Sequence, residues 1–420
     1  MPVPAEILWH PHTNMASFVP EDNPVYCRAQ GTYIWDEQGR QYFDGTSALW
    51  FANIGHGNES VARAMYEQAC RLETFHTFVG NSHRPVLDLM ERLYRLAPLD
   101  DPRIILGSGG SDAADIALKL ARRYWQVLGK PKKQYVLARE HAYHGLHAFG
   151  TSVVGDDDLR KGYGSLVPYV CRISDDNLQE VRETIEDLGA ESIAAIIAEP
   201  IIGAGGMIPA SAGYLAGLRA LADEFDILLI FYEVVSGFGR TGEWFASELY
   251  GVTPDMTMFA KGVTSGYAPL GGVFVAARVW EPFYDSANPQ APAYWHGLTY
   301  SGHAVSCAAA MANLEFIEDN HLLGHVRELS QFVDAELHRV FERNEYVADV
   351  RSKGLLGGVE LHSSVSAGSV VAVLRDEFGQ LVRPCNQTVT ISPPFISTIE
   401  ELRSLIADIA EAVDLVAGRC

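Results

Sequence analysis

Six short apolar runs in the middle of the chain constrain the fold more than any other feature. They are RIILGSG (103–109), QYVLARE (134–140), SIAAIIAEP (192–200), ILLIFYEV (227–234), DMTMFAK (255–261) and LGGVFVAA (270–277). Each is too short and too continuously apolar for a half-exposed strand, which would alternate with period two. Runs of this kind, separated by helical patterns, predict an α/β fold with a mostly parallel sheet buried on both faces. The best of those patterns follows Ser111 or Asp112, either of which is expected to cap a helix whose Ile116, Leu120, Tyr124 and Val127 share one face.

Either side of this block the pattern changes. The first 23 residues read as loop, GTYIWDEQGRQYFDG reads as a hairpin, and a helix is expected over Glu59–Leu72. From His303 a long helix leaves the sheet. The last hundred residues then read helix, strand (LLGGVELH), helix, strand (TVTISPPF), helix. With 420 residues there is room for more than one core. The expected division is an N-terminal segment 1–60 packing with a small α+β domain of residues 315–420, and a large domain over 61–314.

The net charge of −21 argues against a nucleic-acid or anionic membrane partner. The six cysteines are scattered, with no C-x-x-C, as expected of free thiols in a reducing compartment. No charged start leads into an apolar run and no apolar stretch approaches 18 residues, so a cytoplasmic location is expected. No metal site is expected.

Three windows fall where such a sheet builds its site, beyond the carboxyl ends of its strands. GSGGSDAAD (107–115) places glycines before a helix start, a cradle for phosphate or an ordinary structural turn. It has neither the Walker Gly-Lys-Ser/Thr nor the dinucleotide G-x-G-x-x-G. Lys261 ends an apolar strand, where burial would leave a neutral, nucleophilic amine; a snorkelling strand-end lysine is the alternative. HAYHG (141–145) offers an aromatic residue for stacking on a flat ligand, or for core packing.

In this order and spacing the windows resemble the class III (ω-) aminotransferases of pyridoxal-phosphate (PLP) fold type I. The likeness covers nearly the whole chain and is most specific over ILLIFYEVVSGFGRTGEWFA and PDMTMFAKGVTSGYAPLGG. It implies that Lys261 carries PLP as a Schiff base and shuttles a proton. It also implies that Gly110 and Ser111 bind the phosphate, and that Tyr143 and Val234 flank the pyridine ring. Glu199 of AEP would join the polar network, and Thr299 would reach the phosphate of a neighbouring subunit in a homodimer. Trp50 would line the substrate pocket, and Arg383 would pair with a substrate carboxylate. The opening WHPHTNM (9–15) is also similar to diaminopelargonate aminotransferases, whose donor is S-adenosylmethionine.

One position departs from the family. Where the family has Asp-Glu-Val, with its aspartate on the pyridine nitrogen, this chain has Tyr232-Glu233-Val234. A phenol is neutral at pH 7 and cannot support a pyridinium as a carboxylate does. Glu233 should face the other way along a strand. A lesser departure is GGSDAAD for the family's Gly-Ser-Glu-Ala-Asn. The expected function is amino transfer from an amino acid or amine to a keto acid. The alternative is a non-transaminating PLP enzyme that performs elimination–replacement or C–C bond formation, with S-adenosylmethionine among its candidate substrates.

Overall fold

A computed structural model of the protein describes residues 7–285, 287 and 293–418. Residues 1–6 of the expected loop and Cys420 lie outside the described residues. The six apolar runs become the strands Arg103–Gly107, Tyr135–Arg139, Ile193–Ala198, Leu228–Tyr232, Met256–Phe259 and Gly271–Val275, with Val170–Ile173 as a seventh. Across the sheet the order is Arg103–Gly107, Gly271–Val275, Met256–Phe259, Leu228–Tyr232, Ile193–Ala198, Tyr135–Arg139, Val170–Ile173. Gly271–Val275 runs against both neighbours, so the sheet is mostly and not wholly parallel. The other six strands share a direction, and their carboxyl ends form one edge.

Side-chain alternation sorts the strand residues into two dry layers. Leu228, Ile230 and Tyr232 pack with Ile116, Leu120 and Trp125 of the helix Gly110–Val127 on one face. Leu229 and Phe231 pack with Val181, Ile185, Leu215 and Leu218 of the helices Leu178–Leu188 and Tyr214–Glu224 on the other. Burying such aliphatic side chains stabilises the fold by about 1.5–3 kcal/mol each. Four of the six apolar runs form strands buried at every residue, while Tyr135–Arg139 is buried except at Tyr135 and the edge strand Arg103–Gly107 is half-buried. Tyr232 pairs with Met258 on the adjacent parallel strand, which brings position 232 and Lys261 to the same edge.

The termini meet in a second layer system. Tyr33–Asp36 and Gln41–Asp44 form the expected hairpin, and Gln380–Leu381 pairs in parallel with its second strand. A C-terminal sheet of Val347–Ser352, Gly357–Leu361, Thr388–Ile391 and Arg383–Cys385 packs under the helices Leu322–Phe341 and Ile399–Ala417. Phe43 and Ile54 share that core with Leu337 and Leu405. The helix Ala304–Asp319 serves both cores: Cys307 and Leu314 pack with Phe274, while Ala309 and Ile317 join the C-terminal cluster. Among the described residues no helix is long and apolar enough to cross a membrane.

Candidate active site

A cavity of about 1040 Å³ opens at the carboxyl edge of the sheet. Trp50, Gly110, Ser111, Tyr143, Tyr232, Val234, Lys261 and Arg383 all line it. Glu199 lies buried behind Tyr143, and Thr299 is exposed and outside the cavity.

Lys261 follows the strand Met256–Phe259 and takes a left-handed backbone, φ 49°, in which few side chains other than glycine are at ease. Its Nζ lies 4.8 Å from the Trp50 ring centroid. Burial, partly opposed by the Glu199 carboxylate, lowers its pKa to about 8. A tenth of such amines are already neutral one pH unit lower.

The helix Gly110–Val127 begins opposite. Its N-cap is Gly109 and no side chain caps it, contrary to the expected role of Ser111 or Asp112. Asp112 instead turns back to accept the Ser108 amide at 2.7 Å, and Ser111 Oγ accepts the amide of Leu146 at 3.2 Å. The first-turn amides therefore carry the positive end of an 18-residue helix. A Cβ on Gly110 would lie 2.8 Å from the Tyr232 hydroxyl and 3.0 Å from Val234, so glycine keeps this corner open.

Glu199 accepts the amides of Tyr143 at 2.9 Å and Gly203 at 3.0 Å. Its carboxyl pKa rises to about 7, chiefly through burial. Arg139, fully buried, donates to the Glu199 carbonyl at 2.7 Å and to the Asp175 carbonyl at 2.7 Å. Arg383, on the strand Arg383–Cys385, also lies over the Trp50 ring, 5.5 Å from its centroid.

Trp50 itself depends on Asp44. The loop before it takes left-handed φ values at Ser47 (48°), Ala48 (57°) and Trp50 (60°). Both oxygens of the buried Asp44 accept the Ala48 amide, at 2.9 and 2.7 Å, and Oδ2 also pairs with His56 Nε2 at 2.8 Å.

Position 232 is set by the strand. Tyr232 faces the helix layer, whereas Glu233 faces away and accepts Ser236 Oγ and the amides of Ala246 and Ser247. Against the phenol lies His144, edge-on with centroids 4.9 Å apart. His144 is fully buried and neither ring nitrogen has a partner among the described residues. It stood inside the HAYHG window, yet the lack of a partner on either nitrogen shows only in the fold. Pro11, His12 and Cys385 also line the cavity and were not singled out as site residues from sequence. WHPHTNM alone hinted at the first two.

These residues fit PLP: an uncapped helix start suited to an anion, a cavity that Tyr143 and Val234 both line, and a lysine whose charge is weakly held. Fold and site together define an enzyme of PLP fold type I. The sequence model of aminotransferase class-III matches residues 17–413, and the chain belongs to that family. A diaminobutyrate–2-oxoglutarate transaminase of Halomonas elongata is 33% identical, covering 98% of this chain and 95% of its own. An adenosylmethionine-8-amino-7-oxononanoate aminotransferase of Anoxybacillus flavithermus is 34% identical, covering 97% and 94%. Among solved structures, a PLP-bound amine transaminase from an uncultivated Pseudomonas species superposes with a TM-score of 0.90 at 35% identity, covering 97% and 98%. The chain is thus a PLP-dependent transferase of the aminotransferase class.

Proposed function

We propose that the enzyme transfers an amino group between an amino acid or amine and a keto acid. The observation that carries this reading is a weakly held Lys261 ammonium facing the unpartnered start of the Gly110–Val127 helix across one cavity. When bound, PLP supplies an aldehyde to hold the substrate amine and a ring that draws electron density from its Cα. Lys261 Nζ holds the cofactor and then carries the proton to and from Cα. The amides of Gly110 and Ser111 bind the phosphate. Tyr143 and Val234 would flank the ring, Tyr232 would meet its nitrogen, and Glu199 steadies Tyr143 by accepting its amide. Trp50 closes the substrate side against water, and Arg383 grips a substrate carboxylate by two parallel hydrogen bonds.

A homodimer accompanies this reading. Phe78, Val79 (93% exposed), Trp295 (89%) and Tyr300 are apolar surface. Their segments adjoin, since a Cβ on Gly297 would lie 3.0 Å from Phe78 and Thr77 donates to the Ser301 carbonyl. Burial against a second copy accounts for such a patch, and Thr299 beside it would reach the partner's phosphate site.

Borohydride reduction of the holoenzyme followed by peptide mass mapping should place the cofactor on Lys261; a label on another lysine removes this function. A screen of amino acids, amines and S-adenosylmethionine should then recover the cofactor in its amine form with at least one donor.

Tyr232 favours a second reading on the same residues: elimination–replacement or C–C bond formation, with the amino group retained. Release of such products without the amine form of the cofactor would establish it in place of the first.

A further inference from the structure

We propose that Tyr232 and His144 form a charge-free pair that holds the cofactor's ring nitrogen unprotonated, with the Tyr232 hydroxyl as hydrogen-bond donor. This deepens the proposed function and rests on PLP lying between Tyr143 and Val234.

The carrying observation is geometric. Tyr232 ends the strand Leu228–Tyr232 with its hydroxyl at the Gly110 corner of the cavity, where the phosphate-side helix begins. His144 packs edge-on against the phenol, fully buried, with both ring nitrogens unpartnered among the described residues. A buried imidazole without an acceptor cannot keep a proton on both nitrogens, and burial with the nearby Arg139 charge brings its pKa down to about 3. The phenol is pushed the other way, by burial first and then by Glu199 and Tyr143, so it keeps its proton at any working pH.

The carboxylates packed around this corner each accept hydrogen bonds already, and Lys261 and Arg383 add positive charge to the cavity it borders. Glu233, next along the strand, accepts three hydrogen bonds on the opposite face. The Glu199 oxygens hold the amides of Tyr143 and Gly203. Arg139 is cationic and donates to carbonyls. From the helix, Asp112 accepts the Ser108 amide and Asp115 the Phe149 amide. A pyridinium here would be a buried cation facing a neutral phenol, near Arg139, with Glu199, already holding two amides, as the carboxylate whose charge reaches the phenol. A nitrogen lone pair facing an O–H donor is satisfied at once. The donor role is therefore built into the choice of tyrosine.

The test is a ¹⁵N NMR spectrum of the holoenzyme loaded with PLP labelled at the ring nitrogen, from pH 6 to 9. Wild type should show the resonance of an unprotonated, hydrogen-bonded pyridine throughout. Tyr232→Asp should move it to the pyridinium position at neutral pH. Tyr232→Phe keeps the aromatic volume, and should leave the nitrogen unprotonated while weakening PLP affinity roughly fivefold, the worth of one hydrogen bond. A pyridinium resonance in wild type overturns the pair while leaving Lys261 as the attachment point, which borohydride mapping reports separately. An enzyme that binds no PLP overturns both. Should Tyr232→Asp fail to fold, wild type and Tyr232→Phe still decide the question.

Discussion

Two lysines of this molecule have pKa values brought to about 8 by burial, and only one is placed for chemistry. Lys133 lies just before the strand Tyr135–Arg139, at the opposite edge of the sheet from the cavity. Its three protons go to the carbonyls of Ala190, Ile193 and Asp226, and the Trp125 ring lies 4.4 Å away. The Nζ of Lys261 makes no hydrogen bond among the described residues and has a ring, a carboxylate's field and open volume before it. A lowered pKa is thus a consequence of burial that both share. What separates them is spare valence directed at a space large enough for a ligand.

That contrast can be broken by exchange. Lys261→Ala should lower activity at least about 10³-fold, by removing both the attachment point and the proton carrier, and should barely change the melting temperature. Lys133→Ala should do the reverse: about 3 kcal/mol of stability lost as three carbonyls lose their donor, seen in urea melts, with specific activity nearly retained. If both variants lose activity in proportion to stability, the distinction fails.

Smaller effects sharpen it. Arg383→Ala should raise KM for a carboxylate substrate by roughly 10–100-fold, as expected for a charged hydrogen-bonded pair, and leave a simple amine unaffected. The rate at which apoenzyme takes up PLP should rise with pH up to about 8 and then level, because only the neutral Lys261 amine attacks. For linkage the sign is positive: between about 8 and the unfolded value near 10.5 the unfolded chain binds more protons at these lysines, so stability climbs with pH. Replacing Lys133 by Met should remove one such increment, visible as a flatter melting-temperature profile over that range.

Much of the central sheet was legible because continuous apolar runs allow few alternatives. Lys261 and the glycine turn could be read for the same reason, since each terminates such a run. The strands Val170–Ile173 and Val347–Ser352 escaped notice because each is only partly buried and carries polar residues. The reversal of Gly271–Val275 was also hidden. Its glycines permit close contact, with Gly271 against the Gly109 carbonyl, but glycine does not announce strand direction. The helix cap was misread because Ser111 and Asp112 are good capping residues by type, while here their oxygens serve Leu146 and Ser108. The solitude of His144 is a property of three dimensions. The ring it packs against, Tyr232, stands 88 residues away in sequence.

The strained turn through Ser47, Ala48 and Trp50 gives the cavity wall an unusual dependence. The Asp44 carboxylate, together with Ser47 Oγ donating to the Ser392 carbonyl, holds the backbone that carries the indole. The shape of this cavity wall is thus set from beneath, by buried groups that do not themselves line the cavity.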